Sequence, residues 1–172
     1  MKRLFLGLLI VTFLIGCGYK PASYYAKNAL GNKIYAEVSI SRQDPRNSVL
    51  IKDAVNEAIV SRFGAKLVAK EQADSVLHVK INGIGFSPTV YDKYGYVVAY
   101  KATVVLAIDY EDEAKKVQKL TATGEYDFSI ESNSVVSDNN RFDAIRYASQ
   151  DALDEFVSKI AIKGLRNGNN NQ

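Results

Sequence analysis

The stretch YVVAYKATVVLAIDY, residues 96–110, decides the fold that the sequence predicts. Its apolar or aromatic residues recur at every second position: Tyr96, Val98, Tyr100, Ala102, Val104, Leu106, Ile108 and Tyr110. The positions between them include Lys101, Thr103 and Asp109. Because successive side chains of a strand point to opposite faces of a sheet, this period predicts one long strand with a buried face and a semi-polar face.

Three further strands are predicted from the same alternation on either side of this stretch. Two precede it, at 34–40 and 75–86, and one follows it at 120–130, after an acidic connection at 111–113. In the second strand the apolar positions change from odd to even after Gly83. An inserted residue produces such a change, so we predict a β-bulge at Gly83.

Two amphipathic helices complete the predicted fold. The first has Asp44 and Pro45 as its cap and first-turn residue and stops at Gly64, whereas the second follows the polar loop at 137–140 and ends near Gly164. The order β-α-β-β-β-α predicts an α+β, two-layer sandwich, in which a four-stranded mixed sheet carries both helices on one face. The other face of the sheet would remain open.

The N-terminus has the pattern of an export signal that ends at a cysteine. Lys2 and Arg3 precede an apolar run at 4–15, followed by Gly16 and Cys17. A transmembrane helix needs about 20 apolar residues, so this shorter run predicts a signal peptide. We predict four segments: a lipoprotein signal peptide at 1–16, a lipidated tether at 17–32, a single α+β domain at 33–165 and a disordered tail at 166–172.

Composition restricts the classes of function. Without Lys2 and Arg3 the chain has 20 basic residues against 19 acidic ones, a balance that argues against a nucleic-acid partner. With the single cysteine used for lipid, no internal disulfide can form. An ordinary secreted protein, whose only cysteine falls at position 17 by chance, is the alternative to a lipoprotein.

The sequence contains no pattern of residues that indicates an enzyme, a metal site or a cofactor. His78 is the only histidine, and its place in an alternating strand predicts a surface position. The three consecutive acidic residues 111–113 cannot all face one calcium ion. Asp151, Asp154 and Glu155 have the spacing of a solvated helix face. We therefore predict a protein that is not an enzyme and that carries no cofactor or metal.

Several features of the chain belong to one pattern. They are the lipobox Leu14-Ile15-Gly16-Cys17 followed by Gly18-Tyr19, the element order, the strand at 96–110, the strand at Gly124-Glu125-Tyr126 and the closing helix at 142–160. Together they resemble the LptE family of lipopolysaccharide-assembly lipoproteins, over nearly the whole chain after Cys17. The resemblance implies cleavage before Cys17 and lipidation of Cys17, which would anchor the chain in the membrane.

The same resemblance implies a place and a partner. A member of this family is an outer-membrane lipoprotein that faces the periplasm, plugs and helps assemble the β-barrel protein LptD, and takes part in lipopolysaccharide insertion. Gly18, rather than Asp, after the cysteine is compatible with sorting to the outer membrane. Two other functions stay open: an auxiliary lipoprotein of an envelope transport system, which predicts an enclosed apolar pocket, and a structural envelope lipoprotein, which predicts no lipopolysaccharide binding.

Lysines and tyrosines on strands and loops are candidates for contact with lipopolysaccharide or the barrel. Lysines would attract phosphate groups, and tyrosines would stack on sugar rings. The candidates are Lys80, Tyr91, Lys93, Tyr94, Tyr96, Lys101 and Lys119. We predict that the loop at 86–96 is the main contact element, since its tip can project into a partner. The alternative for each lysine is that it serves only solubility.

Overall fold

The computed structural model describes residues 22–39, 45–111 and 116–169. The predicted signal peptide and Cys17 lie outside the described residues. The elements in chain order are α1 (Ala22–Leu30), β1 (Lys33–Val38), α2 (Pro45–Ser61), β2 (Lys66–Leu67), a 3-10 turn (Lys70–Gln72), β3 (Ser75–Tyr91), β4 (Val97–Glu111), β5 (Val117–Ser129) and α3 (Asp138–Asn169).

The strands form one mixed sheet in the order β2-β1-β3-β4-β5. β1 pairs in parallel with β2 and with β3, whereas β3, β4 and β5 form an antiparallel meander. The α+β class and the mixed sheet are confirmed. The predicted count of four strands and two helices is wrong, because the described residues form five strands and three helices.

The additional elements are too short to show a regular spacing of apolar residues. β2 has two residues, too few to show an alternation. α1 has nine residues and lies where we predicted an irregular tether. Its Ala26 and Leu30 are fully buried, and the helix packs against α3. One helical turn separates these two residues, so the sequence offers only a single repeat of the helical spacing.

The predicted β-bulge in β3 is confirmed. Ile81 lies opposite Leu106 of β4, and Gly83 lies opposite Val105, so β3 contains one more residue than β4 between these pairs. The bulge keeps Ile84 on the face that Ile81 occupies. β3 then continues to Tyr91, so the predicted loop at 86–96 is mostly strand and the connection is short.

The helices cover one face of the sheet and form the core with it. Leu106 and Ile108 of β4 are fully buried, as is Phe156 of α3. The Phe156 ring lies 5.8 Å from both the Phe63 and the Tyr110 ring centroids. On the opposite face, alternate residues of β4 remain partly exposed, which leaves that face open as predicted.

α3 runs beyond its predicted end. It continues through Gly164 to Asn169 and so includes residues 166–169, which we predicted as disordered. A glycine costs a helix only about 1 kcal/mol relative to alanine, and no proline follows it to stop the helix.

Candidate functional site

The candidate residues occupy two separate regions. Tyr91, Lys93, Tyr94 and Tyr96 lie at the tip of the β3–β4 hairpin, at the ends of the strands and in their connection. The others lie on the open face of the sheet: Lys80 on β3, Lys101 on β4 and Lys119 on β5. Lys80 is opposite Ala107, six residues along β4 from Lys101, or about 20 Å. The structure therefore does not bring the candidates into one site.

Two of the open-face lysines have carboxylate partners. Lys101 Nζ lies 2.6 Å from Glu125 Oε2, and this hydrogen bond raises the pKa of Lys101 above its ordinary value. Lys119 Nζ lies 3.9 Å from Asp109 Oδ2, a looser pair. Among the described residues, Lys80 forms no ion pair within 4.0 Å. Lys80 and Lys119 are therefore more available to an anion than Lys101.

Asp92 fixes the conformation of the hairpin tip. Its Oδ1 accepts hydrogen bonds from the backbone N–H groups of Tyr94 and Tyr96, at 2.8 and 2.9 Å. The Gly95 N–H donates to the Asp92 carbonyl at 3.0 Å, and Gly95 has a φ of +86°, a conformation that glycine adopts without strain. A short carboxylate at 92 and a glycine at 95 are thus what this turn requires.

The second oxygen of Asp92 reaches a different part of the chain. Ser132, in the segment 131–137 between β5 and α3, donates its hydroxyl to Asp92 Oδ2 at 2.5 Å. This bond, followed by those from the turn N–H groups, holds the pKa of Asp92 below its ordinary value. The sequence did not indicate the role of Ser132, because forty positions separate it from Asp92 and no local pattern predicts their contact.

Large apolar side chains are exposed in both segments that this contact joins. We define the tip surface as Val90, Tyr91, Tyr94, Tyr96 and Val135. Tyr94 is 73% exposed and Val135 is 88% exposed. Lys93 Nζ lies 4.9 Å from the Tyr94 ring centroid, so this lysine lies beside the tip surface.

Aromatic rings support the base of the hairpin. The Tyr100 and Phe128 rings stack with centroids 6.0 Å apart, and Phe86 meets Phe128 edge-on at 6.2 Å. The Arg141 guanidinium of α3 lies 4.9 Å from the Phe86 ring centroid. The projecting hairpin is thus connected to the helical layer by packed side chains.

Two acidic residues of α3 bind the edge of the sheet rather than solvent alone. The Thr123 and Glu125 N–H groups of β5 donate to Glu155 and Asp151, at 2.5 and 2.9 Å. One turn further, Lys159 Nζ donates to the Thr121 carbonyl at 2.8 Å. The Thr123 N–H is the main cause of the lowered pKa of Glu155. The predicted solvated face is confirmed in its exposure, since Asp151 is exposed and the Asp154 and Glu155 side chains are 44% and 38% exposed. Asp151 and Glu155 in addition cover a strand edge, which was not predicted.

The part of the chain that the structure describes has neither a cluster of metal-ligating side chains nor a helix that could span a membrane. Over 22–39, 45–111 and 116–169, no three histidine, cysteine or acidic side chains lie close enough together to hold a metal ion. In the same part of the chain, no helix combines the length and the apolar character that spanning a membrane requires.

Comparisons with known proteins identify the family and the fold. The LptE family, described as "Lipopolysaccharide-assembly", matches residues 35–160. A protein from Xanthomonas campestris has a similar structure, with a TM-score of 0.53 and 13% identity over 80% of this chain and 87% of that one. A putative lipoprotein from Caulobacter crescentus gives a TM-score of 0.50 and 10% identity over 84% and 96%.

A third similar structure is rare lipoprotein B from Shewanella oneidensis, with a TM-score of 0.43 and 13% identity over 81% of this chain and 96% of that one. A search of curated proteins finds no match. At these identities the Xanthomonas campestris and Caulobacter crescentus structures support the fold alone, whereas the family match covers most of the chain. The resemblance inferred from the sequence is confirmed: the chain belongs to the LptE family of non-enzymatic, envelope-associated lipoproteins, which act in lipopolysaccharide assembly.

Proposed function

We propose that this protein is an outer-membrane lipoprotein, facing the periplasm, that plugs and helps assemble an LptD-like β-barrel and takes part in lipopolysaccharide insertion. The observation that carries the proposal is the family match over residues 35–160. Such a role requires a stable body with a large surface for contacts and no reacting groups.

The open sheet face supports a contact with a barrel lumen. Thr103 at its centre is flanked across the strands by Gly85 and Glu125, and no described helix covers it. The interior of a large membrane β-barrel is polar, so a matching surface needs hydrogen-bonding side chains more than a continuous apolar patch. A face of threonines, glycines and ion pairs meets that need, and interfaces of this kind retain bridging water.

The lysines differ in how free their ammonium groups are to bind the phosphates of lipopolysaccharide. We propose Lys80 and Lys119 as groups that attract its phosphates, since Lys80 is unpaired among the described side chains and Lys119 is 79% exposed. Lys101 would have to leave a 2.6 Å partner first, so we propose it as a structural lysine of the open face. The hairpin residues Tyr91, Lys93, Tyr94 and Tyr96 are proposed contacts of the barrel, since Lys93 lies beside the Tyr94 ring.

We propose that Cys17 carries the lipid anchor. Changing Cys17→Ala is expected to abolish incorporation of a labelled palmitate analogue and to leave an uncleaved or soluble chain. One acyl chain gives marginal membrane binding, whereas two or more anchor a protein stably, so any Cys17→Ala chain that is cleaved should leave the membrane pellet. Persistent labelling of the Cys17→Ala variant would show that the anchor is elsewhere.

The proposed partner is tested by affinity purification of the tagged lipoprotein from detergent-solubilised membranes, with mass spectrometry of the proteins recovered. We expect an outer-membrane β-barrel in about equal amount. A Tyr91→Ala, Tyr94→Ala double variant should lower its recovery about tenfold or more, because exposed tyrosines are frequent hot spots of interfaces.

The matched control is Val60→Ala, which removes an exposed apolar side chain from α2, away from the hairpin. It is expected to recover the barrel like the wild type. Recovery of an inner-membrane transporter instead would favour the auxiliary lipoprotein, and recovery of other envelope proteins without a barrel would favour the structural lipoprotein. Equal recovery by the double variant would exclude the hairpin as a contact element.

A further inference from the structure

We propose that the hairpin tip and the segment 131–137 form one composite contact surface for a protein partner, with Asp92 and Ser132 as the positioning residues that join its two parts. The inference rests on the proposed function and extends it. It adds a second segment to the contact surface and assigns two residues a role in presenting it.

The two oxygens of one carboxylate connect the two segments. Asp92 Oδ1 accepts from the Tyr94 and Tyr96 N–H groups and so sets the turn, while Oδ2 accepts from the Ser132 hydroxyl at 2.5 Å. Within the second segment, the Ser134 N–H and hydroxyl both bond to the Glu131 carbonyl, at 3.1 and 2.8 Å. Each segment therefore has its own turn, and the Asp92–Ser132 bond fixes one against the other.

Exposed apolar residues concentrate in the two segments that the Asp92–Ser132 bond joins. Among the described residues, thirteen large hydrophobic side chains are exposed, and five of them form the tip surface. Four come from the hairpin, and Val135 comes from the second segment. A surface held in its binding geometry loses less conformational entropy when it binds, so joining the segments should increase affinity without adding a contact.

The charge of this surface favours a protein over a phosphate-bearing lipid. Residues 90–96 and 131–137 contain one cation, Lys93, and two carboxylates, Asp92 and Glu131, for a net charge of −1. A surface selected for the phosphates of lipopolysaccharide would be positive. Exposed tyrosines with few charges around them are instead typical of the centre of a protein interface.

The test compares Ser132→Ala with Ser132→Thr in the full-length lipoprotein, purified in detergent. Ser132→Ala removes only the hydroxyl, whereas Ser132→Thr keeps it and is the matched control. We expect Ser132→Ala to speed amide hydrogen exchange in 92–96 and 131–137 and to lower barrel recovery about tenfold, with an unfolding midpoint within about 2 °C of the wild type. Ser132→Thr should restore both exchange protection and recovery.

Each outcome separates the inference from the proposed function. Wild-type exchange in Ser132→Ala would show that the bond does not position the segments, and faster exchange with undiminished barrel recovery would show that the composite surface is not the contact. Both overturn the inference and leave the proposed function standing. Failure of the wild type to recover any barrel overturns the proposed function and the partner named here. Protection of the tip surface by added lipopolysaccharide alone would identify the occupant as lipid and overturn the protein partner.

Discussion

Gly124→Ala is expected to lower the free energy of unfolding by about 3 kcal/mol or more, which corresponds to a midpoint lower by about 10 °C for a chain of this size. A Cβ atom at this position would lie 2.0 Å from the Ala148 carbonyl oxygen and 2.2 Å from the Ala152 nitrogen. Both are backbone atoms of α3, so no side-chain rotation can remove the overlap. The helix or the strand would have to move.

Movement of α3 is itself opposed by its contacts with the edge of β5. Asp151 and Glu155 accept hydrogen bonds from β5 N–H groups, and Lys159 donates to a β5 carbonyl, on both sides of the Gly124 level. A shift of α3 away from the strand would stretch these bonds and uncover backbone groups of an edge strand. One added methyl group therefore destabilises the whole contact between α3 and β5.

Gly83→Ala and Gly85→Ala are the matched controls, because a Cβ at either position meets nothing within 4 Å. Both should unfold within about 1 kcal/mol of the wild type, since alanine also restricts the unfolded chain. Urea unfolding followed by circular dichroism measures all three variants. Equal midpoints for Gly124→Ala and the controls would contradict the close approach of α3 to β5.

The sequence was most informative where a strand is long and has one buried face. In β4, five of the alternating residues are buried, from Ala102 to Tyr110, because one side of that strand packs under helices along most of its length. The β-bulge was readable for the same reason, since it inverts an established alternation. α1 and β2 were not readable, because two or nine residues are too few to establish a period and their positions depend on the core they join.

Prediction of the candidate site from the sequence has the same limit, because only local patterns can be recognised. Tyr91, the last residue of β3, and Tyr94, in the short connection after it, are exposed, as their place in the predicted loop indicated. The bonds that organise the region join residues far apart in the chain: Lys101 with Glu125, and Asp92 with Ser132. The carboxylates of α3 that bind β5 looked like surface acids for the same reason, because only the packed sheet shows which backbone groups they reach.

Leu106→Lys should unfold most of the protein, whereas Val105→Lys, one position earlier, should leave it folded. Leu106 is fully buried on the helix-covered face of β4. Its replacement loses about 2 to 3 kcal/mol of apolar burial and places an ammonium group among apolar side chains, at a further cost of several kcal/mol. The total approaches the whole stability of an ordinary domain, about 5–15 kcal/mol.

Val105 lies on the open face, between Gly83 of β3 and Thr123 of β5. Gly83 leaves open space beside it, so a lysine at 105 can lie across the sheet with its ammonium group in water. We expect a change within about 1 kcal/mol for this variant, because little apolar area is lost. The two variants thus introduce the same residue on opposite faces of β4. The difference between their urea unfolding midpoints measures how much more one face is buried than the other. Similar midpoints would mean that the two faces are equally covered, and the open face would then no longer be available to a barrel.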